Sequence, residues 1–221
     1  MSFDDYFKHH FQDLNLRPPL FYSWDVGIRF ELGNPYMYPL DQDLYMEQVY
    51  DRAIDIYKYL HKENDEIYVV TNAHFADQPN PIRRKTKVYR RYMTNKDVLK
   101  RLQHTVIPYV FADVYDIYDF ETHRFTLKCS GGDIKYRNLL KAICNHDVRI
   151  KPFIDHDVFF INMTKGTIFH IYDDRGCDVI ATSTHALIDL YKEYNEWILS
   201  YDRAKIDPIF GSNFRKGSHS I

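Results

Sequence analysis

The sequence predicts an α+β protein with a mixed, largely antiparallel sheet and with helices packed mainly on one face of that sheet. Two observations lead to this class. Short runs in which apolar and polar residues alternate, as in strands, recur along the 221 residues between segments of helical periodicity. Hairpin-length turns in the C-terminal half favour antiparallel pairing, whereas helical connections in the N-terminal half leave room for a parallel pair.

Six segments before residue 130 have a periodicity that predicts their secondary structure. β-Branched and aromatic residues are enriched in the predicted strands, and capping residues precede the predicted helices. In chain order, the segments are a helix capped by Ser2 and ended by Pro18-Pro19, a strand at 24–33, a long helix beginning at Asp41 or Asp43, a strand at 66–72, a strand around 88–93 with a short helix after it, and a strand at 123–129.

The C-terminal part is organised around residues 157–181, which predict a three-stranded meander. Its apolar runs are separated by polar turns at 164–166 and 173–178, whose Asp, Thr and Gly residues are common turn formers. A helix capped by Asp133 precedes the meander. A long helix that begins at Ser183 or Thr184 follows it.

Length and composition predict one domain. With 45% hydrophobic residues, 221 residues bury a sizeable core as one unit, whereas two domains would each be small. The loop at 76–81 is the only candidate linker, and no internal repeat is present. Residues 1–210 are therefore predicted to form a single α+β domain, followed by a polar, flexible tail at 211–221.

Charge and cysteine usage restrict the expected partners and compartment. Lys and Arg number 29 against 31 Asp and Glu, so a net charge of −2 gives no general attraction to nucleic acid or to an anionic membrane. Three cysteines form no disulfide framework, which favours a reducing cytoplasm. No apolar run has the length of a membrane span, and the first residues do not resemble a secretory signal. The sequence leaves the oligomeric state open.

The acidic turn at 173–178 is the first candidate site. Its three carboxylates could hold a divalent cation through oxygen ligands, although their spacing differs from that of an EF-hand loop. Asp and Gly are also common in purely structural turns, and Arg175 could neutralise its neighbours or reach Glu31. A structural, a partner-binding and a metal-binding or catalytic turn all stay open. The candidate partner-binding residues are Asp173, Asp174, Arg175, Asp178, Arg29 and Trp24.

A basic run between residues 83 and 101 is the second candidate. Its nine Lys and Arg side chains are interleaved with Tyr89 and Tyr92. The basic side chains could contact phosphates, and the tyrosine rings could stack on bases. The acidic run at 113–121 would cancel this field if the two runs packed side by side. A solvated surface and an acidic protein partner are favoured over nucleic acid. The basic patch comprises Arg83, Arg84, Lys85, Arg90 and Arg91.

Signals for metal, cofactor or nucleophile chemistry are weak. His and Cys residues have no spacing typical of a zinc site, and no cofactor is expected. Cys177 and His170 are a loose suggestion of a Cys/His pair. However, Asp174 and Asp178 would raise the pKa of the Cys177 thiol, since they disfavour a neighbouring thiolate. Cys177 is therefore not predicted to act as a nucleophile.

Several segments carry a resemblance to a bacterial family. They are WDVGIRFELG at 24–33, RFTLKC at 124–129, KAICN at 141–145, TIFHIYDDRGCDVIA at 167–181 and YNEWILSYDR at 194–203. The sequence resembles domain of unknown function 3885 over most of the chain beyond residue 20. The resemblance implies a small cytoplasmic bacterial domain and transfers no catalytic residues. A link to immunity proteins of toxin systems is compatible with it.

Two functions from different classes follow. The first is a non-enzymatic protein-binding module, immunity-like or antitoxin-like, whose partner is a toxin or a regulator. The alternative is a metal-assisted hydrolase or nucleotide-processing enzyme built on Asp173, Asp174 and Asp178, with help from Arg175 and Arg29. The alternative requires these groups to converge in a pocket.

Overall fold

A computed structural model describes residues 1–12, 14–34, 36–37, 41–76, 87–114 and 120–211. Within these residues, seven strands form one sheet in the order β1-β7-β6-β5-β2-β4-β3. They are β1 Gly27–Glu31, β2 Glu66–Ala76, β3 Gln103–Pro108, β4 Phe120–Ser130, β5 Asp157–Asn162, β6 Thr167–Asp173 and β7 Gly176–Ala181. The predicted α+β class and the meander, formed by β5 to β7, are confirmed.

Neighbouring strands in the described sheet are all antiparallel. The parallel pair that the sequence left possible in the N-terminal half is therefore not formed. A helical crossover does join β1 to β2, and these two strands run in the same direction. The three strands of the meander are inserted between them, however. The connection between β1 and β2 is therefore helical, as expected. The two strands are not neighbours, however, because strands that are distant in sequence lie between them.

Seven α-helices accompany the sheet in the described chain. They are α1 Phe3–Phe11, α2 Leu20–Ser23, α3 Gln42–Leu60, α4 Lys87–Tyr92, α5 Tyr136–Val148, α6 Ile188–Glu193 and α7 Arg203–Phe210. Short 3-10 turns lie at Asp97–Arg101, Gly131–Asp133, Thr184–Ala186 and Asn195–Trp197. None of the described helices combines the length and the apolarity that a membrane crossing requires.

The two faces of the sheet are covered unequally, because side chains along a strand alternate between them. The larger core packs α3 and α5 against residues such as Phe160 and Val179. The smaller core packs α1 against Phe159 and Ile180. Most helices thus lie on one face, as predicted.

Helix α1 illustrates how local sequence specifies an element. The Ser2 hydroxyl accepts a hydrogen bond from the Asp5 amide at 3.2 Å, which caps the first turn as predicted. The buried residues Phe3, Phe7 and Phe11 recur at a spacing of four, so one stripe of the helix faces the sheet. Burial of this stripe holds α1 against the smaller core.

The prediction of a strand at 88–93 is wrong, because residues 87–92 form helix α4. Buried Val88, Tyr89, Tyr92 and Met93 have the spacing of a helical stripe, which outweighs their high strand propensity. The sequence analysis instead missed strand β3. Most residues of β3 are exposed, so buried and exposed positions do not alternate along it. The short helix after α4 is confirmed as the 3-10 turn Asp97–Arg101.

Helical structure follows the meander as predicted, but it is divided between α6 and α7. Ile198 lies between them with extended backbone and forms an isolated bridge with Phe30 at the edge of the sheet. A continuous helix could not make this bridge. Residues 77–81 of the candidate linker and 212–221 of the predicted tail lie outside the described residues.

Candidate partner-binding site

The centre of the site is an ion pair between strands β1 and β7. The register places Arg29 opposite Asp178, and Nε and Nη2 of Arg29 donate to the carboxylate at 2.7 and 3.0 Å. The Asp178 side chain is fully buried and also accepts the backbone N–H of Phe21 at 3.1 Å. Burial disfavours the charged guanidinium, but the hydrogen bonds and charge of Asp178 outweigh burial and raise the pKa of Arg29.

Aromatic rings enclose the Arg29 guanidinium. Its central carbon lies 4.6 Å from the ring centre of Tyr22 and 4.7 Å from that of Tyr172. The Tyr22 hydroxyl donates to Asp202 at 2.9 Å. Burial, followed by this carboxylate, raises the pKa of Tyr22. Arg29 therefore fastens α2 to the sheet, and Tyr22 extends the link to the beginning of α7.

A lysine on α7 strengthens the same junction. Lys205 Nζ donates to the Phe21 carbonyl at 2.6 Å and lies 4.5 Å from the Phe21 ring centre. Burial lowers the pKa of Lys205, and nearby carboxylates offset only part of this decrease. Lys205 thus joins α7 to α2.

The acidic turn is held by internal contacts. Asp173 accepts from the Arg175 backbone N–H at 2.8 Å, from Arg175 Nε at 2.9 Å and from Nη2. Asp174 accepts from the Tyr45 hydroxyl at 2.5 Å, and the Tyr45 ring is almost fully buried. Arg175 thus neutralises its neighbour, and Glu31 pairs with Arg52 at 3.2 Å instead.

The predicted residue Trp24 is half-buried beside β7. Its Nε1 donates to the Ala181 carbonyl at 2.7 Å, and its ring centre lies 5.4 Å from that of Phe11. Trp24 therefore joins α1 to strand β7.

The three carboxylates of the turn have three different partners, namely Arg175, Tyr45 and Arg29. No group of three or more potential metal ligands lies together within the described part of the chain. These contacts show no convergence of the kind that the hydrolase alternative requires, so that alternative stays a prediction. Heat of Mg²⁺ or Mn²⁺ binding that disappears in Asp174→Asn would support it.

Cys177 and His170 lie on opposite faces of the sheet, because their positions differ in parity along β7 and β6. Burial raises the pKa of the Cys177 thiol, and the Asp178 charge adds to this effect. The expected direction is therefore confirmed, although burial is a larger cause than the neighbouring carboxylates. This pair supplies no activated nucleophile.

Most of the folded chain matches the model of a known protein family. A family model described as Domain of unknown function (DUF3885) matches residues 3–202, which include the complete sheet and the Arg29–Asp178 pair. The chain belongs to the DUF3885 family. The Uncharacterized protein YnaE of Bacillus subtilis (strain 168) is 36% identical over 211 residues, which cover 91% of this chain and 99% of that protein. No solved structure matches the chain.

Two exposed tyrosines complete the site in this DUF3885 chain. Tyr22 is 49% exposed and Tyr201 is 85% exposed. Tyr201 lies close enough to Tyr22 to contribute to its raised pKa, after burial and Asp202. We call these two residues the tyrosine surface. Sequence reasoning named neither, although a tyrosine between the polar residues Ser200 and Asp202 is a signal that could have indicated Tyr201.

The basic run of the DUF3885 chain is only partly described. Arg83, Arg84 and Lys85 lie outside the described residues, whereas Arg90 and Arg91 are exposed on α4. Tyr89 and Tyr92, the proposed base-stacking residues, are 0% and 4% exposed and belong to the core. Their burial leaves neither ring available to a nucleic acid base.

The acidic run does not neutralise the basic run through its described residues. Asp113 binds Arg17, a residue near the N-terminus, through an Nη2 to Oδ2 hydrogen bond of 2.7 Å. Glu121 lies 3.8 Å from His123. Residues 115–119 lie outside the described residues. The described ion pairs of this run are therefore directed at other parts of the chain.

Proposed function

We propose that this protein is a non-enzymatic module that binds another protein through the tyrosine surface, in the manner of an immunity or antitoxin protein. One observation carries the proposal. Tyr22 is exposed beside Arg29 and Asp178, which are already paired with one another, and Tyr201 is exposed near Tyr22. Tyrosine offers a large apolar area with a polar hydroxyl, and it is enriched at the energetically dominant positions of interfaces.

The fixed position of Tyr22 supports this role. Its ring stacks on Arg29, and its hydroxyl is bonded to Asp202, a residue that is only 3% exposed. An anchor that is already ordered loses less conformational entropy on binding. Trp24 and Arg175, also candidates from the sequence, are proposed to contribute to the same interface. A toxin or a regulator is the proposed partner.

The three cysteines support a reducing, cytoplasmic location for this activity. Cys129, Cys144 and Cys177 are all buried as free thiols. Burial raises the pKa of Cys129 to about 12, which keeps the thiol protonated and unreactive at neutral pH. A protein with free thiols in its core suits a compartment where disulfides do not form.

A site-specific cross-linking experiment tests the proposal. A photoreactive phenylalanine analogue at position 201 is expected to capture one stoichiometric protein in the cells that encode the chain. Tyr36 is the matched control, because it is 83% exposed and lies outside the tyrosine surface. Capture of the same proteins from both positions, or of none from position 201, would overturn the proposal. A toxin gene beside the coding gene would identify the partner's class.

A further inference from the structure

A second surface lies between α4 and the loop that follows α5. An open cavity of about 470 Å³ is lined by Arg91, Lys151, Pro152 and Phe153. Arg149 flanks it, because its guanidinium carbon lies 5.6 Å from the ring centre of Phe153. We call this site the basic cavity. It brings part of the basic run together with a second basic segment that the sequence analysis did not connect to it.

The three cations of the basic cavity have no carboxylate at ion-pair distance among the described residues. Other cations of the basic run are engaged, since Lys100 pairs with Asp97 at 2.8 Å and Lys96 donates to the Met93 carbonyl at 2.8 Å. Asp113, one of the two described acids of the opposing run, binds Arg17 instead. Like charges gathered in a concave surface create a field that attracts an anion.

Arg149 has a backbone conformation that is unusual for its residue type. Its φ of 58° places it in the left-handed region at the C-terminal cap of α5. Glycine is the common residue there, because a Cβ atom is disfavoured in this conformation. Arg149 therefore occupies a strained position at the edge of the basic cavity.

The loop that forms the cavity is anchored to the core. The Asn145 side-chain amide donates to the Pro152 carbonyl at 3.0 Å, and the Tyr50 hydroxyl donates to Asn145 at 2.5 Å. The Ile154 amide donates to the Ala142 carbonyl at 2.9 Å. The cations therefore project from a fixed wall, which reduces the entropy lost when they bind a ligand.

We propose that the basic cavity binds Asp and Glu side chains of an acidic segment in the protein partner, a proposal that rests on the protein-binding function above. Arginine guanidinium groups pair with carboxylates through two parallel hydrogen bonds. Single-stranded nucleic acid would need exposed aromatic rings on which bases stack. Tyr89 and Tyr92 are buried, and the half-buried Phe153 carries Arg149 on its ring. Acidic protein is thus the better fit.

Fluorescence anisotropy with a labelled short polyglutamate peptide tests the proposal. Wild type is expected to bind at low ionic strength, and Arg91→Gln/Lys151→Gln to lose about tenfold or more in affinity. The control Lys100→Gln/Lys192→Gln removes two cations that pair with neighbouring aspartates, and less than about a twofold change is expected. Arg149→Gly is expected to weaken binding too, while its backbone suits glycine better than arginine.

Three outcomes would overturn the proposal. These are no peptide binding by wild type, equal losses in both double variants, and tighter binding of a labelled single-stranded oligonucleotide of equal charge. Circular dichroism confirms that each variant is folded. If cross-linking from position 201 still captures a partner, failure of the peptide experiment contradicts only the proposal for the basic cavity. The proposal for the tyrosine surface then stands.

Discussion

The acidic turn at 173–178 and the basic cavity are both dense in charge, yet their charges are used differently. Asp178 lies inside the sheet, where an unpaired carboxylate would be very costly, and it is paired with Arg29. Arg91, Arg149 and Lys151 lie at the surface, where water solvates a cation at little cost. Internal pairing therefore makes the turn a structural element, whereas the described cations of the cavity have no carboxylate partner, as the proposed binding of an acidic segment requires.

This comparison shows why a run of charge in a sequence is weak information about function. The turn has the stronger local pattern, with three aspartates in six residues. Its carboxylates nevertheless stabilise the junction of β1, β7 and α3. The cavity has no compact motif, since its cations come from two separate segments. Available charge, rather than total charge, distinguishes a binding surface.

The largest expected effect comes from breaking the buried pair. Asp178→Ala leaves Arg29 without its counter-ion and Phe21 N–H without its acceptor, so the free energy of unfolding is expected to fall by about 3 to 5 kcal/mol. Urea denaturation measures this change. Asp189→Ala is the control, because its pair with Lys192 is exposed and is expected to contribute less than about 1 kcal/mol. Equal losses would mean that burial does not distinguish these pairs.

A buried histidine gives the next effect. His61 is 6% exposed, and burial lowers its pKa to about 4 from 6.5. Between these values the unfolded chain binds a proton that the folded chain does not, so stability falls as the pH decreases from 6.5 towards 4. The expected loss is up to about 3 kcal/mol. It is measured by urea denaturation across this window.

The exposed residue His185 provides the matched control for this pH effect. His61→Gln is expected to reduce the loss of stability on acidification, whereas His185→Gln is expected to leave it unchanged. An unchanged pH dependence in His61→Gln would show that other groups cause it. Burial of His61 would then not be the cause of the acid sensitivity.

Removal of one hydroxyl probes the acidic turn more gently. Tyr45→Phe deletes the donor to Asp174 and is expected to lower the free energy of unfolding by about 1.5 to 3 kcal/mol, the range for hydrogen bonds to charged groups. Thermal and urea unfolding measure the change. Tyr36→Phe is the control, since Tyr36 is 83% exposed. A neutral Tyr45→Phe would show that Asp174 does not depend on this contact.

The smallest expected effect has the opposite sign and lies in the basic cavity. Arg149→Gly relieves the left-handed backbone and is expected to raise the free energy of unfolding by about 0.5 to 1 kcal/mol. The control Lys141→Gly, at an exposed position within α5, is expected to lower it by about 1 kcal/mol. A destabilising Arg149→Gly would place Arg149 among the structural charges and weaken the contrast with Asp178.

Local signals predicted several elements of this fold well. The Ser2 cap, the apolar stripe of α1 and the first turn of the meander depend on residues close together in sequence. The second turn is shorter than predicted, because Asp173 belongs to β6 and residues 176–178 belong to β7. The strand at 88–93 was predicted wrongly because β-branched and aromatic residues suit both strands and buried helices. The division after α6 was missed since it depends on a bridge between Ile198 and the distant Phe30.

By itself, the sequence determined the α+β class, the meander, the family and the residues that carry charge. Only the tertiary structure decided which charges meet. It placed three strands between β1 and β2, brought Arg29 to Asp178 across most of the chain, and gathered Arg91 with Lys151 around one cavity. Periodicity reports on neighbours along the chain, whereas ion pairs and hydrogen bonds act over a few ångströms of space.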